Sequence, residues 1–135
     1  MSHGLGLDTH ALLWALFEPD KLGRKTHTTL KDPASEVLVG PLSYWEISLK
    51  GGLGKLVLPD TDPSEFPAAA HQLGLIEEPL DPEILSTFHR LPYAPDHRDP
   101  FDRLLIRHAI HRKHTLLSRD RAMPFFKVHG LKFEW

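Results

Sequence analysis

Carboxylate side chains follow two predicted strands of this chain, close to the point where each strand ends. Asp8 comes directly after the apolar run at 5–7, and Asp120 is separated by one residue from the end of the predicted strand at 114–118. Asp99 and Asp102 stand at the start of the helix predicted before that second strand. Because sites in parallel sheets form beyond the carboxyl ends of the strands, we expect these four acids to converge at one edge.

Glu46 is a fifth acid, and it lies on a predicted helix. Leu42, Trp45, Glu46 and Leu49 have the spacing of one helical face. Three of the four are apolar, so the pattern predicts that Glu46 points towards the core, where a carboxylate needs a partner. An ion pair with Lys50, four residues further on, is the structural alternative. That pairing does not explain why Glu46 shares its face with apolar residues.

Acids gathered at one sheet edge repel one another, so either their pKa values rise or a cation neutralises them. A chain without cysteine offers oxygen ligands, which select hard ions such as Mg²⁺ or Mn²⁺. Such an ion suits phosphodiester hydrolysis, because it activates water and neutralises the phosphate and the leaving oxygen. Helix capping is the alternative explanation for Asp8, Asp99 and Asp120, since Asp is favoured at helix N-termini.

The predicted elements that position these acids alternate between strands and helices. This alternation predicts an α/β fold with a central, mainly parallel sheet covered by helices on both faces. The predicted strands lie at 5–7, 36–40, 75–76, 114–118 and 128–133, and the predicted helices at 9–17, 43–50 (closed by Gly51 and Gly52), 63–73 (interrupted by Pro67), after Asp81, at 99–112 and shortly before the last strand.

Length and composition fit one domain spanning residues 1–135, because 41% of the residues are hydrophobic. The absence of cysteine excludes a disulfide scaffold and a thiolate metal site, and it fits a reducing cytoplasm. The longest apolar run, at 11–17, is too short to span a bilayer. The first residues, Met1 to Gly4, lack the pattern of a signal peptide. We therefore expect a cytoplasmic protein without membrane association.

Basic residues concentrate in the last third of the chain, although the formal net charge is −2. Residues 98–135 contain nine lysines and arginines against four acids. This asymmetry permits a local phosphate-binding surface, while solvated helix faces are the more ordinary explanation.

Other residue types in the chain indicate no competing chemistry. The ten histidines, including His108, His111 and His114, lack a zinc-binding pattern, so we expect them to be scattered over the surface. Ser43 and Ser118 lack the turn that exposes a nucleophilic serine. Trp14, Trp45 and Phe101 are expected to belong to the core.

Four motifs, in order along the chain, together closely resemble those of VapC-type PIN domains. Asp8 to Trp14 resembles their opening, and Ser43 to Lys50, followed by Gly54-Lys55-Leu56, resembles their second acidic motif. His97 to Leu105 resembles the third motif and is the most specific of the four. Ser118-Arg119-Asp120 resembles the fourth, with serine where threonine is usual.

This resemblance implies an α/β/α sandwich, an acidic Mg²⁺ or Mn²⁺ pocket and RNA cleavage to a 3′-hydroxyl and a 5′-phosphate. It also implies a small antitoxin partner of the VapB kind and a homodimer. By position, the resemblance assigns Asp8, Glu46, Asp102 and Asp120 to the catalytic pocket, Asp99 to the metal site beside them, Thr9, Ser43 and Ser118 to its support, and Lys50, Lys55, Arg98, Arg103 and Arg119 to the RNA groove. The loop at 93–96 is longer than expected, so the roles of Asp96 and His97 stay open.

Three alternatives remain at this stage. A receiver-like signalling domain also places acids around Mg²⁺ on a doubly wound sheet, but no acidic pair stands near the first strand. A haloacid-dehalogenase-like phosphatase requires Asp-x-Asp, whereas this chain has Asp8-Thr9-His10. A PIN fold kept only for binding is the third alternative, in which the acids are structural.

Overall fold

Five short parallel strands form the sheet in the computed structural model, which describes residues 4–58 and 60–135. The strands are β1 (Leu5–Leu7), β2 (Val37–Val39), β3 (Ile76–Glu77), β4 (Thr115–Leu117) and β5 (Lys132–Glu134), and they lie in the order β3-β2-β1-β4-β5. Every neighbouring pair is parallel. This order differs from the 2-1-3-4-5 order of receiver domains, so the receiver-like alternative is excluded.

Helices connect the strands and cover both faces of the sheet. They are α1 (Thr9–Phe17), α2 (Arg24–Lys31), α3 (Pro41–Gly52), α4 (Phe66–Gln72), α5 (Pro82–Ser86), α6 (Pro100–Arg112) and α7 (Met123–Phe126). Single 3₁₀ turns occur at Pro19–Lys21, Pro63–Glu65, Phe88–Arg90 and Lys127–His129. The predicted α/β/α sandwich is therefore confirmed.

Two apolar clusters make up the core, because the sheet is covered on both faces. Alternate strand residues point to opposite faces, and Leu117 belongs to one cluster while Leu116 belongs to the other. The first cluster includes residues of α1, α3 and α4, and the second includes residues of α6 and α7. The central strands β1, β2 and β4 are thus buried or half-buried, whereas the edge strands β3 and β5 are more exposed.

Several element boundaries differ from the sequence-based prediction. Helix α2 was not predicted, since its sequence is almost entirely polar. Pro67 lies in the first turn of α4 instead of interrupting a longer helix, which agrees with its missing N–H. Gly51 and Gly52 belong to the last turn of α3 instead of following it. The last strand begins at Lys132, because Gly130 takes a left-handed conformation after the preceding turn.

No helix within the described residues is long and apolar enough to cross a membrane. The expectation drawn from the start of the chain depends on residues 1–3, which lie outside the described residues.

Candidate active site

Asp8 stands where β1 ends and α1 begins. Its carboxylate accepts a 2.8 Å hydrogen bond from the backbone N–H of Ala11 and so caps α1. Asp8 also hydrogen-bonds with Ser118, at the end of the neighbouring strand β4. The capping alternative is therefore correct for Asp8, but it does not exclude a second role, because the side chain also lines a polar cavity.

That cavity has a volume of about 350 Å³ and lies at the carboxyl edge of the sheet. Its acidic lining residues are Asp8, Asp102 and Asp120, and its other lining residues are His10, Trp14, Arg119 and Arg121. The predicted convergence of acids from β1, β4 and α6 is thus present in the structure.

Asp99 and Asp102 belong to the first turn of α6. Asp99 Oδ1 accepts hydrogen bonds from the backbone N–H groups of Phe101 (2.8 Å) and Asp102 (3.3 Å), so Asp99 is the N-cap. Carboxylate oxygens of Asp99, Asp102 and Glu46 lie within 4.8 Å of one another. Asp102 therefore belongs both to the cavity with Asp8 and to the group with Glu46, and it joins the two.

Glu46 is buried as predicted, being 2% exposed, but the residues that share the buried face of α3 with it differ from the prediction. The buried residues of α3 are Leu42, Ser43, Glu46 and Ile47. Trp45 is 59% exposed and Leu49 is 38% exposed, so the prediction that they share the inward face with Glu46 is wrong. Trp45 instead packs edge-on against Phe101 at 5.1 Å between ring centres, so its expected place in the core is also wrong.

Both carboxylate oxygens of Glu46 have partners. The Thr9 hydroxyl donates a 2.6 Å hydrogen bond to Oε1, and Thr9 Oγ1 is also hydrogen-bonded to the Ser43 hydroxyl at 3.1 Å. Lys50 Nζ contacts Oε2 and lies 3.6 Å from Asp99 Oδ2. These contacts satisfy the requirement that a buried carboxylate be paired.

Ser118 connects two of the acids. Its Oγ accepts a 3.1 Å hydrogen bond from the backbone N–H of Asp120, and the same residue hydrogen-bonds with Asp8. Asp120 Oδ1 in turn accepts from the backbone N–H of Ala122 at 2.9 Å. Asp120 thus stabilises a turn and is not the N-cap of α7, which is Ala122.

The crowding of acids changes their protonation. Burial raises the pKa of Asp102 to about 7, and the charges of Asp99, Glu46, Asp120 and Asp8 act in the same direction. Burial also raises the pKa of Asp8, although the hydrogen bonds from Ser118 and Ala11 offset part of that rise.

The ammonium group of Lys50 forms an ion pair with Glu46. Burial alone would lower the pKa of Lys50, but the hydrogen bond to Glu46 and the charges of Glu46, Asp99 and Asp102 outweigh it and raise the pKa. Lys50 therefore stays charged within the group of acids.

His97 is a site residue whose role the sequence left open. It is 7% exposed, and its Nε2 lies 3.3 Å from Asp120 Oδ2 and 3.7 Å from Asp102 Oδ2. Within the described residues, neither ring nitrogen of His97 has a hydrogen-bond partner. His97 thus lies close to Asp102 and Asp120 without forming a hydrogen bond with either carboxylate.

The basic residues expected to form an RNA groove have four different environments. Arg103 is 3% exposed and donates to the carbonyl oxygens of Leu91 and Pro92, so the expectation that it contacts RNA is corrected. Lys50 is engaged by Glu46 and Asp99. Arg119 lines the cavity and stacks on Trp14, 4.6 Å from the ring centre. Lys55 and Arg98 are exposed.

Arg121 is a cavity residue that the sequence analysis missed. The signal that could have found it is its position next to Asp120, since it is the second arginine flanking that acid.

The donor set fits a hard divalent ion. Glu46, Asp99 and Asp102 supply only carboxylate oxygens, which Mg²⁺ and Mn²⁺ prefer. His97, Asp102 and Asp120 form a second group whose ligand atoms also lie within 4.8 Å of one another. Burial is the main cause of the raised pKa of Asp102, and the charges of the neighbouring acids add to it, so a bound cation would stabilise the ionised carboxylate.

Comparisons with known proteins agree with this architecture. The chain is similar to the solved structure of VapBC2 from Rickettsia felis bound to a DNA fragment from the promoter, with 14% identity and a TM-score of 0.67 over 97% of this chain and 98% of that chain. It is also similar to VapBC from Salmonella typhimurium bound to DNA, with 14% identity and a TM-score of 0.65 over 98% of each chain. FitAB bound to an IR36 DNA fragment is similar as well, with 16% identity and a TM-score of 0.65 over 96% of this chain and 93% of that chain. No curated protein sequence matches the chain significantly.

A sequence profile of the family described as "PIN domain" matches residues 6–129, which include every acid of the candidate site. The chain therefore belongs to the PIN domain family.

Proposed function

We propose that this chain is a metal-dependent endoribonuclease. The observation that supports this proposal most strongly is the placement of Asp8, Asp120, Glu46 and Asp99 around Asp102 at the carboxyl edge of a PIN-domain sheet. Burial, together with the charges of the neighbouring acids, makes an ionised Asp102 costly for the metal-free fold, as its raised pKa indicates. A strongly shifted pKa of this kind is typical of residues in functional sites.

The proposed roles follow from the contacts of each residue. Asp8 and Asp102 would hold Mg²⁺ or Mn²⁺, with Glu46, Asp120 and Asp99 completing the acidic surroundings. When bound, such an ion neutralises a phosphate and activates water for hydrolysis. Thr9 would orient Glu46 directly, Ser43 would act through Thr9, and Ser118 would orient Asp8, so none of the three acts as a nucleophile.

The RNA would approach from the side of the cavity that carries arginines. Arg119 and Arg121 line the same cavity as the acids, and both are exposed enough to contact phosphates. Lys55 and Arg98 would extend this surface. Lys50 neutralises Glu46 and Asp99, so its role is to balance charge instead of binding RNA.

We further propose that the chain is the toxin of a toxin–antitoxin pair, with a VapB-like partner. The fold similarity to VapBC and FitAB supports this assignment. A groove of about 860 Å³ lies beside α3, and it suits an amphipathic helix of the partner because much of its lining is apolar. Its lining includes Tyr44, Trp45, Leu56, Leu58, Pro63 and Pro67. Homodimerisation stays a prediction of the family resemblance.

The experiment for the nuclease is incubation of the purified chain with structured and unstructured RNA in Mn²⁺, with and without a chelator. Cleavage that requires Mn²⁺ and leaves a 5′-phosphate supports the proposal. Cleavage that persists in the chelator overturns metal dependence, and the absence of cleavage on any RNA favours a PIN fold used only for binding.

The toxin role needs a separate test, because a nuclease need not be a toxin. The chain is expressed alone and together with its upstream neighbour in the native host or a close relative, with soluble expression verified. We expect growth arrest only when the chain is expressed alone. Equal growth in both cases contradicts the toxin role and leaves the nuclease proposal intact.

A further inference from the structure

A second group of metal-ligating side chains lies away from the acidic cavity. It consists of Glu78, His108 and His114, whose ligand atoms all lie within 4.8 Å of one another. His114 Nε2 lies 2.9 Å from Glu78 Oε1 and 2.8 Å from Oε2, and His108 Nε2 contacts Oε1. None of the three residues lines the acidic cavity. We call this group the His–Glu cluster.

Three separate elements bring the cluster together. Glu78 directly follows β3, and its backbone N–H donates to Val39 of β2 at 2.9 Å. His108 lies on α6. His114 precedes β4, and its position depends on the left-handed conformation of Lys113, with φ of 58°, which ends α6. Such a convergence is invisible in the sequence, so the prediction that these two histidines belong to the surface is wrong.

Gly4, which has no side chain, leaves space for the ring of His114. A Cβ atom on Gly4 would lie 2.7 Å from His114 Nδ1 and 2.8 Å from Cε1, closer than real contacts allow. The same Cβ atom would lie 2.6 Å from Leu38 Cδ1, so a larger residue at position 4 would displace Leu38 and the imidazole that reaches Glu78. The side chains of Glu78, His108 and His114 are 18%, 13% and 11% exposed, so the cluster is mostly buried.

The chemistry of the cluster differs from that of the acidic cavity. Two imidazole nitrogens and one carboxylate suit Zn²⁺ better than Mg²⁺, and in catalytic zinc sites this ligand set leaves the fourth position to a water. A cavity of about 30 Å³ adjoins the three side chains and is otherwise lined mainly by apolar residues. That volume has room for one water, which would be the fourth ligand of a tetrahedral ion.

We propose that Glu78, His108 and His114 bind one Zn²⁺ as a structural site, which fixes the edge strand β3 to α6 and β4. The site lies too deep for a polymer substrate to reach, so its role is stabilisation. Strand β3 is two residues long and both of its residues are exposed. A metal ion bound next to it would therefore stabilise its position in the sheet. This inference does not depend on the proposed nuclease activity.

The test measures Zn²⁺ binding by the full chain carrying Asp102→Asn, which disrupts the acidic cavity and the group around His97. Competition against a chromophoric chelator gives stoichiometry and affinity, and thermal melts give the change in Tm. We expect one equivalent of Zn²⁺ and a raised Tm in this background, while Mg²⁺ gives neither. Co²⁺ should give the intense visible absorption of a tetrahedral site.

Adding Glu78→Gln, which keeps the side-chain volume, should reduce the Zn²⁺ affinity by more than the roughly 10–100-fold that loss of an outer-shell partner costs. His108→Asn serves as a second variant if Glu78→Gln does not fold, as checked by circular dichroism. His71→Ala is the matched control, because His71 is exposed and belongs to no ligand group among the described residues.

Unchanged Zn²⁺ affinity in both Glu78→Gln and His108→Asn overturns the proposal. So does the absence of Zn²⁺ binding in the Asp102→Asn background, which would leave the cluster as a hydrogen-bonded triad. Neither result bears on Mn²⁺-dependent RNA cleavage by the unmodified chain, so the two proposals fail separately.

Discussion

The hydroxyl of Thr9 donates a 2.6 Å hydrogen bond to Oε1 of Glu46, and so joins the first turn of α1 to the buried face of α3. Thr9 directly follows Asp8, so the same turn that places one acid in the cavity also orients another. The bond fixes the rotamer of a carboxylate that is 2% exposed. Thr9 is thus a positioning residue for the acidic site.

Replacing Thr9 with valine keeps the shape of the side chain and removes the donor. Because Glu46 then loses a partner for a buried oxygen, we expect the free energy of unfolding to fall by roughly 1–3 kcal/mol. RNA cleavage should fall as well, and Thr9→Ser should restore both. Urea denaturation and a cleavage assay measure the two effects. Wild-type values in Thr9→Val would show that the hydrogen bond does not position Glu46.

Asp8 has two roles that a pair of variants can separate. Asp8→Asn keeps an N-cap side chain, because Asn caps helices as well as Asp does. We therefore expect Asp8→Asn to remove cleavage while the metal-free fold is unchanged or slightly more stable. Asp8→Ala also loses the cap and should cost about 1 kcal/mol in addition. A large loss of stability in Asp8→Asn, measured in chelator, would mean that the carboxylate is chiefly structural.

The raised pKa of Asp102 predicts a dependence of stability on pH. A carboxyl whose pKa is raised on folding contributes stability below its unfolded pKa of about 4, and that contribution is lost as pH rises through about 7. Metal-free protein should therefore lose stability between pH 4 and 7 through this group, by roughly 1–3 kcal/mol once partial exposure is allowed for. The loss should be absent in Asp102→Asn.

Denaturation in chelator across this pH range, with Asp20→Asn as the control, measures the effect. Asp20 is exposed and lies in the turn Pro19–Lys21. Equal pH slopes in wild type and Asp102→Asn would contradict the proposed protonation of Asp102.

Lys50 is the internal counterion of Glu46 and Asp99. Lys50→Met leaves Glu46 with an unbalanced buried charge, so we expect a loss of roughly 1–3 kcal/mol in chelator. Mg²⁺ should raise the Tm of this variant more than that of wild type, since the bound ion replaces the missing charge. Lys55→Met, which removes an exposed lysine five residues away, is the control. Equal Mg²⁺ shifts in all three proteins would refute the counterion role.

The sequence was sufficient to predict the acids at strand ends, because the carboxyl-edge rule depends only on element order. Asp8 and Asp120 lie where that rule puts them. The burial of Glu46 was also predicted correctly, but Trp45, which lines the apolar groove, is exposed, and so is Leu49. An apolar residue at a surface groove has the same sequence pattern as one in the core, so periodicity alone cannot separate them.

Residues placed by loops and by tertiary contacts could not be predicted. The sequence pattern predicts that Arg103 is an exposed basic residue. It is buried because the loop before α6 covers it, and its guanidinium donates hydrogen bonds to the carbonyl oxygens of Leu91 and Pro92. His97 reaches Asp102 and Asp120 from the same irregular segment. Glu78 and His114 are 36 residues apart and meet only through the sheet.

The rate of Mn²⁺-dependent RNA cleavage in wild type, Asp102→Asn and Asp20→Asn tests the central claim most directly. Asp102 joins the two acidic groups, whereas Asp20 is an exposed acid outside them. We expect Asp20→Asn to cleave at the wild-type rate. Asp102→Asn should be slower by more than the roughly 10–100-fold that outer-shell losses cost. Equal rates in wild type and Asp102→Asn, with both proteins folded, would contradict the assignment of this acidic cavity as the nuclease site.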